Sequence, residues 1–274
     1  VRPIGVSDFQ QQFDQPATPQ VTCWRCRKSI PQDVAKCPFC AARQTAAEAG
    51  SEPRLQGTPS TEVRQFRYVL VAFGLILASS IGLTAVQAVA GDAATASEQT
   101  RLVRIGVLEA IDVLIILVAL VLTRQAVSTT PVRHGRGFLL LVPMLALAMA
   151  INFGYHAVLN DFLEIEEAEG FSPSKELLAW WVVVICLQPA IFEELFFRGI
   201  AFRSFHRVMG GQGTVLVTSV MFGMAHIYSP LSIPVLVALG IILGYVRLWS
   251  GSLIVPILIH LVHNAIVLAV QLQA

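Results

Sequence analysis

The stretch LLAWWVVVICLQPAIFEELFFR, Leu177 to Arg198, decides the fold: an apolar run long enough to cross a bilayer as a helix ends in two adjacent carboxylates and a guanidinium. A carboxylate near the centre of a membrane helix costs about 2.5 to 3.5 kcal/mol on insertion scales, so Glu193 and Glu194 side by side require partners or a chemical role. Polar residues recur in later apolar segments: His226 ends the run FGMAH that begins at Phe222, and His260 and Asn264 bracket the run HLVHN.

The rest of the chain agrees with a membrane setting. Of its 274 residues 55% are hydrophobic and only 14% charged, and the mean hydropathy of +0.66 is far above that of a soluble domain. With a span set at roughly 20 apolar residues, the sequence predicts an all-α, polytopic membrane helix bundle of about seven spans, at 68–90, 105–123, 138–159, 177–197, 214–228, 231–249 and 252–271. A net charge of +1 offers no argument for a nucleic-acid partner.

Arginines gather in alternate connections: Arg54, Arg64 and Arg67 before the first span, Arg124, Arg133 and Arg136 after the second, and Arg198, Arg203 and Arg207 after the fourth, with Arg247 after the sixth. The connection from Asn160 to Glu176 is instead acidic, through Asp161, Glu164, Glu166, Glu167 and Glu169. The positive-inside rule then puts the N-terminus in the cytoplasm and the C-terminus outside, with Arg101 and Arg104 as mild exceptions. No secretory signal is expected before the first span, and Val1 implies that an initiator Met is absent or was removed.

Residues 1–20 lack helical or strand periodicity and read as a disordered lead. Cys23 and Cys26, then Cys37 and Cys40, form two Cys-x-x-Cys knuckles, the spacing of a compact zinc ribbon over 21–42 in which four thiolates surround one structural Zn2+. Two disulfides are the alternative, disfavoured by the reducing cytoplasm. Four thiolates close the coordination sphere, so such a metal supports structure or binds a cytoplasmic partner. Residues 43–67 read as a linker to a transmembrane domain spanning 68–274.

Successive helical residues are rotated by about 100°, so Glu193 and Glu194 cannot face the same way. Glu194 and Arg198 stand four apart with the acid first, the favourable order for an ion pair. Glu193 is then left to point into a cavity, unless both acids are merely interfacial. Pro189 withdraws a backbone donor and opens the helix near the acids. His260 and Asn264 share a face and present two polar groups to one oxygen. An unpaired carboxylate, a histidine and a His–Asn face are the base, orienting group and oxyanion stabiliser needed to add water to an amide.

These residues resemble a membrane family that includes type II CaaX prenyl endopeptidases and bacteriocin-processing, lysostaphin-resistance-like and immunity proteins. The resemblance covers about 177–270 and rests on Glu193-Glu194-x-x-x-Arg198, Phe222-x-x-x-His226 and His260-x-x-x-Asn264, in that order on successive hydrophobic segments. It implies an intramembrane endopeptidase in a bacterial plasma membrane, with a membrane-associated protein or peptide as substrate and the lipid bilayer around it. Glu193 and His226 would activate water, His260 and Asn264 would hold the oxyanion, and Glu194 and Arg198 would support them. A catalytic Zn2+ ligated by Glu193, His226 and His260 is the alternative chemistry. A non-catalytic scaffold that recruits a partner through its ribbon is the rival function.

Other residues are read as structural. Cys186 is expected to be a buried apolar side chain, and His263 an interhelical hydrogen-bond partner. Glu109 and Asp112 share a helix face and mark either an ion path or an interface. Gly240 and Gly244 permit close helix packing.

Overall fold

In hydrocarbon every backbone N–H and C=O must be bonded internally, so apolar runs rich in Leu, Val and Ile have helix as their only open-ended solution. A computed structural model of the chain shows that outcome. It describes residues 20–23, 28–32, 34–37, 59–89, 96–123, 136–162 and 174–273. The expected disordered lead apart from Gln20, most of the expected linker, Cys26, Cys40, Arg54, Arg124, Arg133 and the acids Glu164 to Glu169 lie outside the described residues.

Two units divide the chain, 1–61 and 62–274. In the first, β1 (Gln20–Thr22) pairs antiparallel with β2 (Ser29–Pro31), Val21 opposite Ile30. Cys23, Ile30 and Cys37 are buried together, with Val21 and Val34 packed on them.

The zinc expected at Cys23, Cys26, Cys37 and Cys40 is corrected here. Among the described residues no group of three or more His, Cys, Asp or Glu side chains could hold a metal ion. A tetrahedral structural site needs four ligands, and the two described thiols, Cys23 and Cys37, are set into an apolar cluster and do not make one. Among the described residues a distinct ribbon domain is not evident.

The second unit is an all-α polytopic bundle. Its helices are α1 (Pro59–Val89), α2 (Glu98–Thr123), α3 (Arg136–Leu139), α4 (Leu141–Ala157), α5 (Leu178–Trp181), α6 (Gln188–Glu194), α7 (Phe202–Ala225), α8 (Ile233–Ser250) and α9 (Ile254–Gln271). Wider π-helical turns, Val182–Leu187 and Leu195–Ala201, join α5 to α6 and α6 to α7 into one helical path.

Among the described residues six helices are long and apolar enough to cross a membrane, against the expected seven. The reason is that the residues between the expected fourth and fifth spans are themselves helical, giving a single path Leu178–Ala225 of 48 residues. Gly210 breaks that path at φ +74°, a left-handed angle that glycine adopts without steric cost. The path doubles back there, since the Phe197 and Phe222 rings on its two limbs meet with centroids 5.3 Å apart. Large apolar side chains such as Val121, Leu139 and Val142 are more than two-thirds exposed, the surface a lipid-facing bundle presents.

The core gathers Phe196, Phe197, Phe205, Phe222, Leu243 and Ile259 where α7 lies along α8 and α9 closes over them. Small residues set that approach. A Cβ added at Gly240 would stand 2.9 Å from Ser219 Cα, a backbone atom that cannot step aside. Gly240→Ala is therefore expected to destabilise the bundle by about 1–3 kcal/mol, read as a lowered unfolding temperature in detergent. Gly74→Ala, whose added Cβ meets nothing within 4 Å, should leave that temperature unchanged.

Candidate active site

The two adjacent acids part company as the helix turns. Glu194 points into the core, where its Oε1 receives Arg198 Nη1 at 2.7 Å, and both side chains are completely buried. Arg198 Nη2 donates to the Gly240 carbonyl at 3.0 Å, and the guanidinium lies 4.6 Å from the centroid of the Phe222 ring. The close approach of α8 permitted by Gly240 thus delivers a backbone acceptor to a buried cation. Two charges taken out of water need this many partners to persist.

Glu193 faces the other way, towards α7 and α9. Its Oε1 is 3.5 Å from His226 Nε2 and its Oε2 is 3.9 Å from His260 Nε2. The second nitrogen of each imidazole is engaged. His226 Nδ1 donates to the Phe222 carbonyl at 2.9 Å, and His260 Nδ1 donates to Glu194 Oε1 at 3.2 Å. Carbonyl and carboxylate oxygens only accept, so both Nδ1 atoms carry protons and both Nε2 atoms are turned to Glu193. Glu193 Oε2 is buried and makes no hydrogen bond among the described residues.

His226 stands just beyond the span that closes at Ala225. Burial pulls its imidazole towards the neutral form, but the Glu193 charge, the hydrogen bond to it and the Phe222 carbonyl outweigh burial, and its pKa lies above the ordinary histidine value. Tyr228 is pushed the opposite way for an acid: burial, then Glu109 and Glu193, raise its pKa, so it remains a neutral hydroxyl.

A small cavity of about 20 Å³ opens beside Glu193, lined also by Ser80, Glu109, Asp112, Gln188 and Tyr228. Sequence reasoning noted Glu109 and Asp112 only as an ion path or interface, and passed over Ser80, Gln188 and Tyr228. The three-residue spacing of the α2 acids was the available signal. Asp112 accepts from Ser79 Oγ at 2.7 Å, and Ser80 Oγ donates to the Ala225 carbonyl at 2.5 Å, tying α1 and α2 to the end of α7.

Asn264 is placed differently from the rest. It lies one turn from His260 on α9, yet its Nδ2 donates to the Ile185 carbonyl at 2.9 Å and its Oδ1 faces His263 Nδ1 at 3.1 Å. His263, expected to bridge helices, instead orients its own neighbour. Cys186 is buried against Trp181 and Leu268.

The catalytic Zn2+ considered for Glu193, His226 and His260 is also corrected. These three residues are all described, and they are not among groups disposed to hold a metal.

Residues 175–266 match the family model of the Type II CAAX prenyl endopeptidase Rce1-like proteins. At superfamily level this segment is similar to CAAX-protease-like membrane proteins. The chain is 27% identical over 146 residues to the membrane-embedded CAAX protease MroQ of Staphylococcus aureus (strain USA300), covering 48% of this chain and 59% of that protein. No solved structure matches it. The matched CAAX-protease-like segment takes in Glu193, Glu194, Arg198, His226, His260 and Asn264, whereas the cavity wall made by α1 and α2 falls outside it.

The ion pair yields a double-substitution test. Glu194→Gln should cost about 3–5 kcal/mol by leaving Arg198 buried without its counter-charge. Replacing Glu194 and Arg198 together by Gln and Met should cost less than Glu194→Gln alone. Unfolding in detergent, followed by tryptophan fluorescence, measures both.

Proposed function

We propose that this protein is an endopeptidase that hydrolyses a peptide bond of a membrane-associated protein or peptide, with Glu193 as the base that activates water. The observation that carries the reading is Glu193 itself: a carboxylate turned to a cavity, flanked by two imidazole Nε2 atoms, with one buried oxygen that makes no hydrogen bond among the described residues. A carboxylate left so exposed to a reaction space in a membrane helix is costly unless it acts there.

In the proposed reaction a water proton passes to Glu193 as the water oxygen bonds to the scissile carbonyl carbon. The carbonyl π electrons move onto its oxygen, and that charge is met at the histidine side of the cavity, with His260 assigned to it in the form that carries protons on both ring nitrogens, since Glu194 takes the Nδ1 proton. Protonated His226 holds Glu193 in place and stabilises the accumulating charge. Collapse of the tetrahedral intermediate re-forms the carbonyl, breaks the C–N bond and returns the proton from Glu193 to the leaving amine. Glu194, held by Arg198, acts on this chemistry through His260, whose Nδ1 proton it accepts.

Glu193→Gln preserves shape and removes the base. Reconstituted in vesicles of phosphatidylglycerol and phosphatidylethanolamine and offered a pool of internally quenched fluorescent peptides, it is expected to lose about 100- to 10,000-fold in cleavage rate at an unchanged unfolding temperature. Retained cleavage would remove Glu193 from the mechanism, and absence of cleavage by the unsubstituted protein on peptides trapped by Glu193→Gln in its native membrane would favour the scaffold reading.

The His226 assignment carries a pH signature. Its charged form is fully present below the ordinary histidine pKa and is lost as pH rises through the raised one. Cleavage should therefore fall as pH rises through a value above the ordinary histidine pKa, and this fall should vanish from the profile of residual activity in His226→Gln.

A further inference from the structure

Gln188 opens α6, and Glu193 follows it on the same short helix. The five steps between them turn the helix by about 140° beyond a full circle, so the two side chains reach the small cavity from different sides, and both line it. Gln188 Nε2 faces the Glu109 carbonyl at 3.5 Å, and a carbonyl only accepts, so the amide nitrogen is the atom turned to α2. That leaves Gln188 Oε1 buried without a hydrogen-bond partner among the described residues, and Glu193 Oε2 is in the same condition. Buried acceptors cost free energy until a donor reaches them. The Ser80 hydroxyl on the same wall is already spent on the Ala225 carbonyl. The cavity measures about 20 Å³, and one water needs roughly 10–15 Å³ together with two or more polar partners. The space is too small for a peptide group and suits a molecule that brings two O–H donors to two acceptors.

We infer that Gln188 is a further catalytic residue, which holds the attacking water by accepting one of its O–H bonds while Glu193 accepts the other. The inference rests on the reading of Glu193 as the base. With both O–H bonds committed, the lone pairs of the water oxygen point away from the two acceptors, and one pair is free to reach the scissile carbonyl carbon. The acceptors then differ in role. Glu193 takes the proton of its O–H bond as the C–O bond forms, whereas the neutral amide of Gln188 takes no proton, and the O–H it holds stays on the tetrahedral intermediate. Displacement of a reacting group by about 1 Å costs on the order of 100-fold in rate, which sets the scale of what an unheld water loses.

The test uses the full-length protein in vesicles, with the fastest-cleaved peptide of the quenched pool as probe. Gln188→Met keeps the length of the side chain and removes the acceptor. It is expected to lower kcat by about 10- to 100-fold with KM little changed, and to leave the alkaline fall assigned to His226 at the same pH, because the Glu193–His226 contact is untouched. A raised KM at unchanged kcat would make Gln188 a substrate contact, and a displaced alkaline fall would make its role purely structural; either overturns the inference. A second arm reads the nucleophile itself. With methanol added, the methanol oxygen bonds to the carbonyl carbon, its proton passes to Glu193, the C–N bond breaks as the amine takes that proton, and the acyl product is a methyl ester. Gln188→Ala opens room for the methyl group, so the ratio of ester to acid should rise at least about tenfold over that of the unsubstituted protein, the scale of one methylene in a fitted pocket. This ratio does not depend on how much of the variant folds, and an unchanged ratio would overturn the inference. Glu193→Gln in the same assay separates the two levels. Retained cleavage removes the base, whereas lost cleavage with kcat of Gln188→Met within about threefold of the unsubstituted value, less than one hydrogen bond supplies, overturns the role of Gln188 alone.

Discussion

A fully buried ion pair, Arg198 to Glu194 at 2.7 Å, is the constraint on which the rest of the membrane bundle depends. Removing both charges from water is offset only where every neighbour contributes. The Gly240 carbonyl, the Phe222 ring and His260 Nδ1 all meet that requirement from α7, α8 and α9. Each of those contacts fixes an element that the candidate site uses. Phe222 precedes His226 by one turn and accepts its Nδ1 proton, while His260 is held by the carboxylate that neutralises the arginine. The pair therefore connects stability to geometry: the residues that make Arg198 tolerable are those that aim two imidazoles at Glu193.

The adjacency of the two acids follows from the same arrangement. One helical step rotates a side chain by about 100°, enough to place Glu194 wholly in the core and Glu193 at a cavity wall. The wide turns on both sides of α6 keep that short helix from being an ordinary stretch of span, and π-type turns recur at functional sites because they offer unpaired backbone and redirect side chains. Here a carbonyl of the N-terminal wide turn, that of Ile185, accepts from a side chain on another helix.

Local spacing made much of this legible. Glu194 and Arg198 at four residues announce a pair on one helix face, and the pair is present; the polar residues in successive apolar runs announce a common interior, and Glu193, His226 and His260 meet there. What spacing could not supply was anything fixed by tertiary contact. Glu109 and Asp112 read as well at an interface as in a cavity, because only the packing of α2 against the α6 limb decides between them. The Asn264 partner was hidden for the same reason: an apolar-phase argument places Asn264 beside His260, whereas its amide donates to the Ile185 carbonyl on another helix. The helix count falls short of the expected seven spans on a local feature: the turn between two apolar segments is helical on either side of a single left-handed glycine, so the two limbs form one continuous path. The thiol spacing of the N-terminal unit predicted a metal centre, yet Cys23 and Cys37 share an apolar cluster and no metal-holding group appears among the described residues.

The central claim is that Glu193 passes a proton from water and forms no bond to the substrate. Single-turnover cleavage in H218O, with protein in excess over peptide and the product carboxyl analysed by mass spectrometry, tests it most directly. Direct attack by water predicts that the first-turnover product carries one 18O in every molecule. A first-turnover carboxyl holding unlabelled oxygen taken from the protein would show that Glu193 attacks the carbonyl itself and would contradict the account.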